Sequence, residues 1–186
     1  MATTYIKLRH PYLKEYILNL TDVDGNRVYT EPVYFAKDTA IGRIINNMRR
    51  VPNLSYKPVE SQITDENRKQ YLQIELPVNP AIRGDERRIY LSESVQTRIS
   101  KAIYEDFFTF AFHFVEEHLI WQKQVFPGNE PVKRRAYLDL IDYCGLVSAD
   151  EDSIRRAFDR KAKLSTYEKS KKIFASKKNF RPFFAQ

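Results

Sequence analysis

Between Glu93 and Lys123 the chain runs without a proline or glycine and keeps returning to large apolar side chains, and this stretch constrains the fold more than any other. Val95, Ile99, Ile103, Phe107, Phe110 and Phe114 form one helical stripe, and Phe108, Phe112, Val115 and Leu119 form a second beside it. A helix apolar over so much of its circumference has to be covered on both sides. The expected centre of the fold is therefore one long helix over residues 92–126, with a sheet against one face and later helices against the other. Ser92 suits its N-cap, and Pro127-Gly128-Asn129 closes it.

The elements around this spar follow from local pattern. Pro11 fits the first position of a short helix carrying Tyr12, Leu13, Tyr16, Ile17 and Leu20. Asp22 to Asn26 reads as a turn, and the segments 27–30 and 33–35 read as extended around Pro32. Asp38-Thr39 can cap a helix whose inward face is Ile41, Ile44, Ile45 and Met48. Residues 52–67 read as an irregular connection. Tyr71 to Leu76 alternates apolar and polar residues as a half-buried strand does, and Pro77 ends it before a polar loop over 79–88. After the long helix, Pro131 opens a helix lined by Tyr137, Leu140, Ile141 and Cys144, and Gly145 stops it. Ser148 to Glu151 fits a capping box for a further helix beginning near Ala149. The expected fold class is α+β: one main body with a small N-terminal mixed sheet packed on a long central helix and a C-terminal helical region. In chain order these are an α+β region (1–91), the long helix (92–126), a helix-turn-helix-like region (131–166) and a basic aromatic tail (167–186).

Charge is distributed unevenly. The formal net charge is +7, from 31 Lys and Arg against 24 Asp and Glu. Residues 153–186 hold 11 basic and 2 acidic residues, a net +9, which leaves the rest of the chain slightly acidic. Such asymmetry points to a polyanionic partner for the basic end, or to a solvated tail that aids solubility. In the last expected helix Ile154, Ala157 and Phe158 share one face while Arg155, Arg156, Arg160 and Lys163 fall on the other. A helix docked by its apolar side with arginines outward meets the needs of contact with duplex DNA, because guanidinium groups pair bidentately with guanine or phosphate oxygens. A protein interface or a solvated face would show the same pattern. The turn is longer than in the compact motif, with nine residues from Gly145 to Ile154, and Asp150, Glu151 and Asp152 argue against end-on insertion. Lys169, Lys171, Lys172, Lys177, Lys178 and Arg181, interleaved with Tyr167, Phe174 and Phe180, resemble a backbone-binding segment with stacking side chains. Phe180, Phe183 and Phe184 would equally serve as a plug on a neighbouring subunit.

No residue set points to catalysis. The 5 glycines include no phosphate-binding loop and no dinucleotide fingerprint. Cys144 is the single cysteine, which rules out an intramolecular disulfide and suits a reducing compartment. His113, Glu116, Glu117 and His118 invite a metal site, but one helix with two histidines is a weak one, and polar positions on a core helix are the simpler reading. Asp22, Asp24 and Asn26 begin like a calcium loop, yet its twelfth position would be Val33, where a glutamate is needed. No cofactor is expected. The first residues lack the apolar core of a signal peptide and no apolar run is long enough to span a membrane, so the expected location is the cytoplasm.

Tyr12-Leu13-Lys14-Glu15-Tyr16, the strand end Ile74-Glu75-Leu76-Pro77, the Phe-rich helix and the segment from Asp152 to Arg160 together resemble small proteins carried by phages and mobile elements of Bacteroidetes. The resemblance spans most of the chain and supplies no catalytic residues. It implies a phage or mobile-element setting, where DNA-binding regulators and virion assembly proteins are both common. The expectation is a non-enzymatic DNA-binding protein acting in the host cytoplasm. Its rival is a virion structural or assembly protein, in which the aromatic residues, 13% of the chain, and the Phe-ended tail make contacts with further copies or other phage proteins.

Overall fold

The computed structural model describes residues 2–22, 24–48, 62–76 and 90–162. Among them are two strands, β1 (Ala2–Lys7) and β2 (Tyr71–Leu76), and five α-helices: α1 (Tyr12–Asn19), α2 (Ala40–Met48), α3 (Glu93–Val125), α4 (Lys133–Cys144) and α5 (Glu151–Ala162). The protein is α+β, and the long helix lies at its centre as the sequence requires.

β1 and β2 pair antiparallel, with Thr4 opposite Ile74 and Ile6 opposite Leu72. Thr4, Ile6 and Leu8 are buried while Thr3 and Lys7 are exposed, so period-two alternation holds along β1 and sets which face meets the core. β1 was not among the expected elements. On the other edge of β2 the extended segment around Val33 reaches the sheet at one place only: Val33 N–H donates to Gln73 O and Glu75 N–H to Val33 O, a parallel bridge. The sheet is thus mixed in direction, though the expected extension at 27–30 gives only an isolated bridge between Thr21 and Arg27. The described part of the irregular connection, from residue 62 onward, is turn and 3₁₀ helix leading into β2. The loop at 79–88 lies outside the described residues.

α3 is buried along Val95, Ile99, Ile103, Phe107, Ala111, Phe114, His118 and Gln122, with Ser100, Tyr104, Phe108 and Val115 beside them. Phe110, expected in the main stripe, is only half-buried, and Ala111 takes its place. Steps of three and four after Phe107 both stay near the same helix face, and here the fully buried slot holds the small side chain. Phe107 and Phe108 are both fully buried. Tyr12 and Tyr16 of α1 pack on Phe107, with ring centroids 5.4 and 5.1 Å apart. Phe158 of α5 meets Phe108 and Phe112 at 5.5 and 4.6 Å.

α2 covers the first half of α3 with Ile45 at its centre. Thr39 caps it, its hydroxyl accepting from Gly42 N–H at 3.0 Å. Gly42 is required by packing, because a Cβ there would run into the Ala36 carbonyl.

Candidate nucleic-acid interface

α5 is seated by Ile154, Ala157 and Phe158, all buried, against Phe108 and Phe112 of α3 and Tyr137 of α4. The turn before it is held from three directions. Gly145 ends α4 in the left-handed conformation (φ 59°), and Gly145 N–H and Leu146 N–H return to the carbonyls of Asp142 and Ile141, the paired hydrogen bonds of a Schellman cap, with Leu146 buried beneath. From α1, the Asn19 amide donates to the carbonyls of Cys144 and Gly145 at 3.0 and 3.1 Å. The Glu15 carboxylate accepts from Ser148 N–H at 3.0 Å. α1 therefore fixes where α5 starts, which accounts for a turn longer than that of a free-standing helix-turn-helix.

The expected capping box lies two residues too early. Ser148 does not cap α5; Asp150 does, accepting from Ser153 N–H at 2.6 Å, while the Ser153 hydroxyl accepts from Asp150 N–H at 3.3 Å. A helix beginning near Ala149 is accordingly corrected to one beginning at Glu151. An aspartate cap with a serine three positions on fulfils the reciprocal geometry as well as Ser with Glu does, and it frees Glu151 to pair with Arg134 at 2.8 Å.

Arg155, Arg156 and Arg160 are all exposed, on the face opposite Ile154 and Phe158. They do not form an unmixed positive stripe. Asp152 pairs with Arg155 at 2.7 Å and lies 4.0 Å from Arg156, and Asp159 is exposed between the two ends of the face. Arg160 Nε donates to Arg156 O at 3.1 Å, which lays its side chain back along the helix. The first-turn carboxylates, Glu151 and Asp152, suit the helix dipole, and the positive charge open to a ligand lies beyond them, at Arg156 and Arg160. Lys163, Lys169, Lys171, Lys172, Lys177, Lys178 and Arg181 lie outside the described residues.

A neighbouring group went unnoticed in the sequence. Arg9 follows β1, and its guanidinium stacks 4.9 Å from the centre of the Tyr104 ring. His10 stacks nearly parallel on Tyr12 at 5.0 Å and leans on Tyr104 at 5.9 Å. His10 Nε2 and the Tyr12 hydroxyl are buried and make no hydrogen bond among the described residues. Burial, then the charges of Arg9 and Arg160, holds the His10 imidazole below its ordinary pKa. Burial first, then Tyr104, raises that of the Tyr12 phenol. The charge of Arg160 thus acts on this group from α5, and Phe158, Phe108 and Tyr104 connect α5 to it ring to ring. Beside it runs a groove of about 460 Å³ whose lining includes Lys7, Arg9, Ser100, Lys101, Tyr104 and Glu105. The only local signal was the run Arg9-His10-Pro11-Tyr12. Its partner Arg160 is far off in sequence.

The other candidate chemistry does not assemble. His118 is buried with Nε2 3.0 Å from Asp139 Oδ2, a contact off hydrogen-bond alignment, and no three His, Cys, Asp or Glu side chains among the described residues are grouped to hold a metal. Asp22 accepts from the backbone N–H groups of Asp24 and Asn26 and closes a turn, as expected. Burial pushes the Cys144 thiol up to about 12, so it stays protonated at neutral pH. No helix among the described residues is long and apolar enough to cross a membrane.

These features define an α+β protein built on one long buried helix, with an arginine-bearing outer face of α5 and an arginine-histidine-tyrosine cluster after β1. Compared with family models, curated proteins and solved structures, the chain matches none of them.

Proposed function

We propose that the protein is a non-enzymatic DNA-binding protein that meets the phosphate backbone with the exposed arginine face of α5, aided by Lys163 and the basic tail. The observation that carries this is the division of α5: three buried apolar residues dock it, and Arg155, Arg156 and Arg160 are left at the surface. Phosphate contact is electrostatic and tolerates a helix lying along the backbone, whereas the Asp150, Glu151 and Asp152 end opposes insertion into the major groove. The setting implied by the resemblance, a Bacteroidetes phage or mobile element and the cytoplasm of its host, suits such a protein. Its test is fluorescence anisotropy with a generic duplex at several salt concentrations. Arg156→Ala with Arg160→Ala should weaken binding and lower the salt slope by roughly 0.9 for each phosphate no longer neutralised. An unchanged double variant would remove α5 from the interface.

A second reading has its own observation. Ile120, Trp121, Val125, Phe126 and Val132 are exposed around the end of α3, an apolar surface suited to subunit contacts in a virion structural or assembly protein. A discrete large oligomer in solution would favour it.

A further inference from the structure

We propose that Arg9, His10, Tyr12 and Arg160 form a binding site for a single phosphate group. Tyr12 is 3% exposed, yet its hydroxyl has no hydrogen-bond partner among the described residues, and His10 Nε2 beside it has none either. A buried polar group left unpaired costs free energy that a native fold rarely leaves unrecovered, so two together mark a place where an acceptor belongs. Two guanidinium charges act on them. Arg9 is held over Tyr104, and the charge of Arg160 reaches His10, Tyr12 and Tyr104 alike. Both arginines are exposed and neither is paired with a carboxylate among the described residues, so their charge is open to an anion; the hydroxyl and the imidazole nitrogen lie beneath the surface, and the anion meets them only as the side chains over them shift.

A phosphate oxygen accepts from a tyrosine hydroxyl, an imidazole N–H and a guanidinium fork at once, and the dianion compensates two positive charges. The arrangement would reject a cation for the same reason. A buried water would satisfy the hydroxyl and the imidazole but gains little from the two positive charges that favour an anion. The flanking groove carries Lys7 and Lys101 as further positive charge, with Glu93 and Glu105 also in its lining limiting how much anion it admits. Because the site shares Arg160 with the α5 face, it deepens the DNA-binding reading if the phosphate belongs to a nucleic-acid backbone. It stands apart from that reading if the phosphate is free or terminal.

The test uses the full chain and two probes. Inorganic phosphate is titrated against chloride at equal ionic strength and followed by the melting temperature and by calorimetry; a generic duplex is titrated by anisotropy. The variants are Tyr12→Phe, which deletes only the unpaired hydroxyl and should leave the fold intact, and Arg9→Gln. Phosphate should raise the melting temperature of the wild type beyond the chloride control, and each variant should weaken phosphate binding roughly tenfold or more. If the duplex also binds and weakens in both variants, the phosphate is that of a backbone. If phosphate binds and the duplex does not, the site holds and the DNA reading fails. No protection by phosphate, or wild-type affinity for both probes in Tyr12→Phe and Arg9→Gln, overturns the site, and duplex binding that persists in those variants then leaves the α5 reading standing alone.

Discussion

Replacing Gly145 by alanine probes the joint that sets the position of α5, and the structure gives its cost in two parts. At φ 59° a residue with a Cβ pays roughly 1–2 kcal/mol that glycine does not. The added Cβ would also stand 2.8 Å from Asn19 Nδ2. Asn19 would have to leave the carbonyls of Cys144 and Gly145, two hydrogen bonds worth about 1 kcal/mol each at most in this partly exposed place. Gly145→Ala should therefore cost roughly 1–4 kcal/mol, and Asn19→Ala alone up to about 2 kcal/mol. The double variant should cost less than the sum, because a shortened residue 19 gives the new Cβ room and its hydrogen bonds are removed only once. Urea denaturation followed by far-UV circular dichroism measures all three. A Gly145→Ala cost under about 0.5 kcal/mol, or strict additivity, would refute this account of how α1 holds the turn.

Phe107→Ala should destabilise by roughly 3–5 kcal/mol, and Phe110→Ala by clearly less, because only the first ring is fully enclosed; thermal melts of the two variants would show the order. Asp150→Ala should cost about 1 kcal/mol through loss of the α5 cap, whereas Ser148→Ala should cost almost nothing, as denaturant titration would reveal. Cys144, buried and with its thiol pushed up to about 12, should resist thiol reagents in the native protein at pH 8 and react on unfolding, which a colorimetric thiol assay would follow.

What the sequence made legible was whatever repeats along a single element. The α3 pattern, the strand at Tyr71 to Leu76 and the two faces of α5 are all local periodicities, and all three are present. β1 escaped because Thr3, Thr4 and Tyr5 give it weak contrast, and its partner strand lies about 70 residues away, where no local signal reaches. The Ser148 cap failed for a related reason: Glu15 of α1 occupies the Ser148 N–H, and only tertiary structure brings the two together. Phe110 and Ala111 lie about 100° apart around the helix, on either side of Phe107, and spacing alone does not say which side the core covers. The arginines of α5 were readable as a face, but not the pairing of Asp152 with Arg155 nor the effect of the Arg160 charge on His10, which depends on how α5 sits against the rest of the fold.

The central claim is that this chain binds duplex DNA through phosphate contacts, and the most direct measurement is the affinity of the wild-type protein for a generic duplex as a function of salt. The account predicts binding in the micromolar range at about 50 mM salt, with the logarithm of the association constant falling linearly as the logarithm of salt rises. No change in anisotropy at tens of micromolar protein under that condition, or binding indifferent to salt, would contradict it.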